Sequence, residues 1–252
     1  MLSRQSLRNI RLLIAYDGTD FAGWQRQAQG LRTVQGEIEK ALEKIHKEKI
    51  NLTGSGRTDS GVHAAGQVAN FYTTINSMEA RKFVPALNRL LPPDIRIMEA
   101  QETHQEFHSR FDAKYRSYRY QIIPGRSALP WELRYAWQIW RKPSLKKLNQ
   151  LAGLLRGELD CTLFAVPQDK SLSRSRYIRN VVFWADGEKI VFEITANAFL
   201  WKMARSVIGT LLFYEEKNIS KDDFKAIIKS GDRSLAGPTA PAHGLFLWNI
   251  GY

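Results

Sequence analysis

Hydrophobic residues in the N-terminal part of the chain recur with two periods, one typical of strands and one typical of helices. Short apolar runs predict strands, while the spacing of Val34, Ile38 and Leu42 predicts a helix with Thr33 as its N-cap. The predicted elements are the strand 10–16, the helix 34–47, the strands 50–53 and 68–74, the helix 78–91 and the strand 95–98. This β-α-β-β-α-β order is the ferredoxin-like arrangement.

The C-terminal part shows a similar succession of elements. One strand alternates Tyr118 and Tyr120 with Arg119, and Asp186-Gly187 joins two apolar runs, as in a β-hairpin. The predicted elements are the strands 115–123 and 135–140, the helix 145–156, the strands 181–184 and 190–195, the helix 200–214, a short helix after 220 and the strand 245–250.

This element order predicts an α+β fold. We expect two ferredoxin-like or RRM-like α/β half-domains, residues 1–105 and 106–252, related by a pseudo-twofold axis. Their sheets are predicted to be mostly antiparallel, with an active-site cleft between the halves.

Charge and composition narrow the functional classes. The 252 residues include 37 Lys and Arg against 25 Asp and Glu, which gives a net charge of +12. This excess of positive charge favours a polyanionic partner. The alternative is that the basic surface only keeps the protein soluble. The single cysteine, Cys161, excludes an intramolecular disulfide and is expected to be a small core or loop residue. The sequence has no apolar run of membrane-spanning length and no signal-peptide pattern, so we expect a cytoplasmic protein without a membrane partner.

A glycine-rich stretch, "GSGRTDSGVHAAGQ" (54–67), first suggests a phosphate-binding loop. Gly56 and Gly61 have the spacing of a P-loop, but Val62-His63 stands where Lys-Ser or Lys-Thr is required. The dinucleotide fingerprint requires a third glycine at the position of Asp59, whose charge would repel a pyrophosphate. Both phosphate-binding interpretations therefore fail.

Metal and hydrolase patterns also fail. His104 and His108 are four residues apart, but Gln105 follows where a zincin needs Glu, so we expect both histidines to be surface or packing residues. Ser60 is not surrounded by a nucleophile-elbow pattern, and His63 is expected to support the loop by hydrogen bonding rather than to act as a base. A two-carboxylate glycosidase would need a second acid near Asp59, among Asp17, Asp20 and Asp112, and the sequence does not place one there.

After these patterns are rejected, the feature of the loop that remains as candidate chemistry is a carboxylate near a guanidinium. Asp59, two residues after Arg57, could stay ionised and act as a nucleophile or a base, or the two could form an ion pair that braces the turn. Tyr115–Tyr120 offers aromatic rings beside cations, as base-flipping enzymes use, or tyrosines that face a core. Arg205 lies beside the apolar stripe of its helix and faces either a cleft or water.

Seven blocks of the sequence resemble, in order, the motifs of the tRNA pseudouridine synthase A family. They span nearly the whole chain, and the GRTD-x-GVHA pattern is specific to the family. The blocks are "YDGTDFAGWQRQ" (16–27), "TVQGEIEKAL" (33–42), "GSGRTDSGVHAAGQVANF" (54–71), "ALNRLLPPDI" (86–95), "FHSRFDAKYRSYRY" (107–120), "NAFLWKMARSVIGTL" (197–211) and "APAHGLFLWNIGY" (240–252).

The resemblance implies an isomerase that converts uridine to pseudouridine at positions 38, 39 and 40 in the anticodon stem-loop of tRNA. It implies that Asp59 is the catalytic carboxylate, that Tyr118 stacks on the target base and that Arg57 helps to hold the flipped nucleotide. Arg205 would lie near Asp59 as its ion-pair partner. The family acts as a homodimer, with each tRNA contacting both subunits, and uses no cofactor and no metal.

The chain departs from the family pattern at four positions. Ser55 and Ser60 stand where the family usually has Ala, Ala204 precedes Arg205 where Val is usual, and Cys161 follows Asp160 where Phe is common. Two other functions stay open at this point: a non-catalytic RNA-binding module, and a hydrolase that uses Asp59 and releases free uracil.

Overall fold

A computed structural model describes residues 7–27 and 30–252 of the chain. Residues 1–6, which entered the signal-peptide prediction, and residues 28–29 lie outside the described part. The chain forms two compact units: unit 1 runs to Lys114 and also contains Leu247–Tyr252, and unit 2 is Tyr115–Phe246.

The units do not divide the chain where the sequence predicts, between residues 105 and 106. Residues 106–114 belong to unit 1 because side chains of its sheet bind their backbone: Asn9 Nδ2 donates to the carbonyl of Phe107, and Asn70 Oδ1 accepts from the amide of Ser109. Residues 247–252 also belong to unit 1 rather than to the second half, because they are part of a strand that pairs in its sheet.

Unit 1 shows the predicted order of elements. They are β1 (Arg8–Tyr16), α1 (Val34–His46), β2 (Thr53–Gly54), β3 (His63–Thr73), α2 (Phe83–Leu90) and β4 (Ile95–Thr103). Thr33 caps α1 as predicted, because its side chain accepts a hydrogen bond from the amide of Gly36. A 3₁₀ turn, Ala80–Lys82, replaces the start of the predicted second helix, and Pro85 lies in the first turn of α2, where no intrahelical partner for an N–H is needed.

The elements of unit 2 follow, and the last strand of the chain returns to unit 1. The strands are β5 (Tyr115–Pro124), β6 (Trp137–Ile139), β7 (Gly157–Asp160), β8 (Ser175–Asp186), β9 (Lys189–Ala196) and β10 (Leu245–Gly251). The helices are α3 (Leu145–Ala152), α4 (Met203–Glu216) and α5 (Lys221–Ser230). β7 was not predicted, because its four residues contain a single apolar side chain, Leu159.

The sheet of unit 1 has the strand order β4-β1-β3-β10, and the short β2 pairs with β3. β1 runs antiparallel to both β3 and β4. Its alternate residues Ile10, Leu12 and Ile14 are fully buried, as are Ile38 and Leu42 of α1. The strand period of β1 and the helical period of α1 therefore both mark side chains that are buried in the core.

The sheet of unit 2 has the order β5-β9-β8-β7 and is antiparallel, with β6 added parallel to β5. Residues 186–189 join β8 and β9 as the predicted hairpin. α3 lies against β8, where Asn149 exchanges two hydrogen bonds with the backbone of Phe183. The α+β class and the mostly antiparallel sheets are thus as predicted. None of the helices within the described ranges is long and apolar enough to cross a membrane.

Candidate active site

The glycine-rich loop connects β2 to β3 in unit 1 and carries Asp59 and Arg57. Asp59 is half-buried, whereas Arg57 is exposed. The amide of Val62 donates to the carbonyl of Asp59 at 3.2 Å, so the chain turns back directly after the carboxylate. Asp59 therefore stands at a turn between two strands of one sheet.

Both neighbours of Asp59 are tied to residues 16–25, which we call the supporting segment. The hydroxyls of Thr58 and Tyr16 share a hydrogen bond of 2.8 Å, and the amide of Trp24 donates to the carbonyl of Thr58 at 3.1 Å. On the other side, the hydroxyl of Ser60 donates to the carbonyl of Phe21 at 3.0 Å. The backbone of Asp59 is thus fixed from both directions.

Two glycines of the supporting segment allow its backbone to touch the loop. A Cβ atom on Gly23 would lie 2.7 Å from the carbonyl oxygen of Thr58, and the φ of Gly23 is +102°. A Cβ atom on Gly18 would lie 2.0 Å from the carbonyl oxygen of Val62. Only glycine permits this packing of backbone on backbone.

His63 and Gln67 hold the two ends of the loop. His63 is buried, and its Nδ1 accepts a hydrogen bond of 3.0 Å from the amide of Gly18, which agrees with the predicted supporting role. The side chain of Gln67 accepts from the amide of Gly56 and donates to its carbonyl. His63 thus ties the loop to the supporting segment, and Gln67 satisfies both backbone polar groups of Gly56.

Arg57 is oriented through a series of side-chain hydrogen bonds. Its Nε donates to Gln25 Oε1 at 3.1 Å, and Gln25 Nε2 donates to Gln35 Oε1 at 2.6 Å. Gln35 Nε2 in turn donates to Glu39 Oε1 at 3.0 Å on α1. The loop is braced by the supporting segment, and Gln25 of that segment receives the guanidinium of Arg57.

Tyr118 lies on β5 in unit 2, opposite Ile194 of β9. It is 7% exposed, and its ring meets Phe199 edge to face at a centroid distance of 4.8 Å. Two residues on, Tyr120 is fully buried and its hydroxyl donates to the carbonyl of Pro241. The predicted alternation of this strand is confirmed, with the tyrosines on the buried side.

Arg205 lies in the first turn of α4 and is half-buried. Its Nε donates to the carbonyl of Ala240 at 2.7 Å, and the amide of Ala240 donates to the carbonyl of Arg205. Burial lowers the pKa of His243, and the positive charge of Arg205 lowers it further. A hydrogen bond from the His243 ring to the backbone of Ala136 opposes this shift. The "APAHG" block therefore fixes Arg205 from the C-terminal part of the chain.

Cys161, where the chain departs from the family pattern, and its neighbour Asp160 have structural roles. Cys161 is fully buried, and burial raises the pKa of its thiol to about 12, as expected for a packing residue. Asp160 Oδ1 accepts hydrogen bonds from the amide and the hydroxyl of Thr162 and so caps the turn that follows.

The structure thus brings Asp59 and Arg57 together on one loop of unit 1 and places Tyr118 and Arg205 on β5 and α4 of unit 2. Sequence reasoning missed the supporting segment and the hydrogen bonds that orient Arg57. These residues lie inside the blocks 16–27 and 33–42, which match the family motifs, and that match was the one sign in the sequence that they matter.

Comparison with known proteins defines the class. A family model described as tRNA pseudouridine synthase matches residues 12–112 and 151–252. These segments include Asp59, Arg57 and Arg205, while Tyr118 falls between them. The protein is accordingly of the class of isomerases that convert uridine to pseudouridine in tRNA.

The relatives narrow the class further. A protein of Treponema denticola is 54% identical over 98% of this chain and 94% of its own length. A protein of Treponema pallidum is 51% identical over 92% and 84%, and one of Borreliella afzelii is 44% identical over 98% and 100%. All three are named tRNA pseudouridine synthase A. The chain therefore belongs to the tRNA pseudouridine synthase A family, as its seven blocks predict.

Proposed function

We propose that this protein isomerises uridine to pseudouridine at positions 38, 39 and 40 in the anticodon stem-loop of tRNA. In this proposal Asp59 is the catalytic carboxylate and acts on a uridine flipped out of the base stack. The observation that carries the proposal is the fixation of Asp59 between Thr58 and Ser60, both of which are bound to the supporting segment. The protein acts as a homodimer in the cytoplasm.

The reaction requires one well-placed carboxylate. The N1–C1′ bond of the uridine breaks, the uracil turns and a C1′–C5 bond forms. The hydrogen at C5 then leaves as a proton, and N1, which has lost its bond to C1′, takes up a proton. No electrons are gained or lost overall. Asp59 acts either as a nucleophile at C1′ or as a base on the sugar, and both roles gain from a carboxylate that is already held in position.

The other three residues act on the substrate or on Asp59. Tyr118 stacks on the target base, which offsets part of the cost of flipping, a few kcal/mol in order of magnitude. Arg57, exposed and oriented by Gln25, helps to hold the flipped nucleotide. Arg205, fixed by Ala240, serves as the ion-pair partner of Asp59. The net charge of +12 supports binding of the tRNA backbone.

Release of tritium from tRNA labelled at C5 of its uridines tests the proposal. Asp59→Asn keeps the shape of the side chain but removes its charge, so we expect the rate to fall roughly 10²- to 10⁴-fold. Asp222→Asn, at an exposed position in the first turn of α5, is the matched control and should retain the wild-type rate. tRNA transcripts that carry a uridine at only one of positions 38, 39 and 40 show which of the three positions are modified.

Each alternative predicts a different result. Binding of tRNA without tritium release by the wild-type protein would identify an RNA-binding module instead. Free uracil among the products would identify a hydrolase. An unchanged rate in Asp59→Asn would remove Asp59 from the mechanism. Sedimentation at the mass of a single chain, 28.9 kDa, would contradict the homodimer.

A further inference from the structure

Residues His108–Asp112 of unit 1 form a tight turn with its own side-chain cap. Asp112 Oδ2 accepts from the amide of His108 at 2.9 Å. His108 Nδ1 accepts from the amides of Arg110 and Phe111 at 3.2 and 3.3 Å. The backbone that presents Arg110 and Phe111 is therefore fixed before any ligand arrives.

Ser109 anchors this turn to the strand that leads into the Asp59 loop. Its side chain is buried, and its hydroxyl donates to the carbonyl of Thr53 on β2 at 2.6 Å. Its amide donates to Asn70 Oδ1 on β3, and its carbonyl accepts from the hydroxyl of Tyr252. The turn and the catalytic loop thus share one support.

The side chains at the tip of the turn point outward. Arg110 is exposed, and Phe111 is 74% exposed although it is large and apolar. His108 packs on Phe111 at a ring-centroid distance of 4.2 Å with planes 31° apart, and the guanidinium of Arg110 lies 5.7 Å from the centroid of the same ring. A largely exposed aromatic ring thus contacts an imidazole and has a guanidinium nearby.

We propose that Phe111 binds the tRNA substrate by stacking on one of its unpaired bases, with Arg110 contacting the adjacent RNA backbone. Proteins recognise single-stranded RNA with aromatic rings next to cations, and a turn whose backbone is already fixed loses little entropy on binding. The exposed Lys114 adds a second positive charge beyond the turn. The inference rests on the proposed function, because it takes tRNA as the ligand.

Variants at Phe111 distinguish stacking from ordinary apolar contact. Phe111→Ala is expected to raise the KM for tRNA and to weaken tRNA binding by filter retention roughly 5- to 150-fold, with kcat little changed. Phe111→Leu keeps the apolar character but lacks the ring and should resemble Phe111→Ala. Phe111→Tyr retains the ring and should bind tRNA as the wild type does.

Three results would overturn the inference. They are an unchanged KM and affinity in Phe111→Ala, full affinity in Phe111→Leu, and a loss of dimerisation in Phe111→Ala with unchanged affinity, which would assign the ring to a second copy of the chain. Unfolding curves check that the variants are folded. A wild-type protein that binds tRNA but releases no tritium would contradict the proposed function alone, since the affinity series would still test Phe111.

Discussion

Gly23 supports the loop that carries Asp59 although it lies outside that loop in sequence. Its φ of +102° is unfavourable for any residue with a Cβ, and that Cβ would also meet the carbonyl oxygen of Thr58 at 2.7 Å. Relief requires the backbone beside Asp59 to move. The position of the Asp59 carboxylate therefore depends on Gly23 having no side chain.

Gly23→Ala is expected to lower both stability and catalysis. The strained backbone should cost about 1–3 kcal/mol in the free energy of unfolding, and displacement of Thr58 should lower kcat for tritium release. Gly153→Ala is the matched control, because Gly153 has a φ of −58° and its added Cβ would meet no heavy atom within 4 Å. Chemical denaturation and single-turnover rates measure both effects. Equal behaviour of the two variants would refute this account of Gly23.

At the scale of elements, α1 organises the support of the loop. The amides of Val34 and Gln35 in its first turn donate to the carbonyls of Gly23 and Trp24, so the helix N-terminus holds the supporting segment. The side chain of Gln35 also extends the hydrogen bonds that orient Arg57. One helix end thus positions both sides of the candidate site in unit 1.

Two glutamines of this network should behave differently. Gln25→Ala removes an exposed side chain, so the unfolding free energy should change by less than about 0.5 kcal/mol, while the KM for tRNA rises because Arg57 loses its orientation. Gln35→Ala leaves buried partners such as the carbonyl of Leu52 without a donor and should cost about 1–3 kcal/mol of stability.

A double-mutant cycle checks the coupling. In the Arg57→Ala background, Gln25→Ala should raise the KM no further, because the side chain it orients is already gone. Additive effects of the two substitutions would show that Gln25 does not act through Arg57.

At the scale of the whole molecule, the net charge of +12 predicts strongly salt-dependent binding of tRNA. Each phosphate contact releases counterions, so affinity should fall by orders of magnitude between about 50 and 200 mM salt. Arg57→Gln should reduce the slope of log K against log salt by about one. Phe111→Ala should leave the slope unchanged, because stacking involves no charge. Filter binding over a salt series measures both, and a flat wild-type profile would contradict a backbone-bound RNA.

Local patterns predicted the secondary structure well. The alternation in β1 and the helical spacing in α1 reflect burial on one face, which the order of residues records directly. The pairing of β10 in unit 1 was not predicted, because a strand carries no local mark of the partner it meets more than a hundred residues away.

By itself, the sequence determined the order of elements, the α+β class, the excess of positive charge and the presence of one carboxylate in a glycine-rich loop. The tertiary structure decided how that carboxylate is held: Tyr16, Phe21 and Trp24 bind the residues on either side of Asp59, and Gln25 receives a hydrogen bond from Arg57. The reason is physical. The periodicity of the sequence shows which side chains are buried. These hydrogen bonds, in contrast, join residues that are distant in sequence, and only folding brings their polar atoms to within about 3 Å of each other.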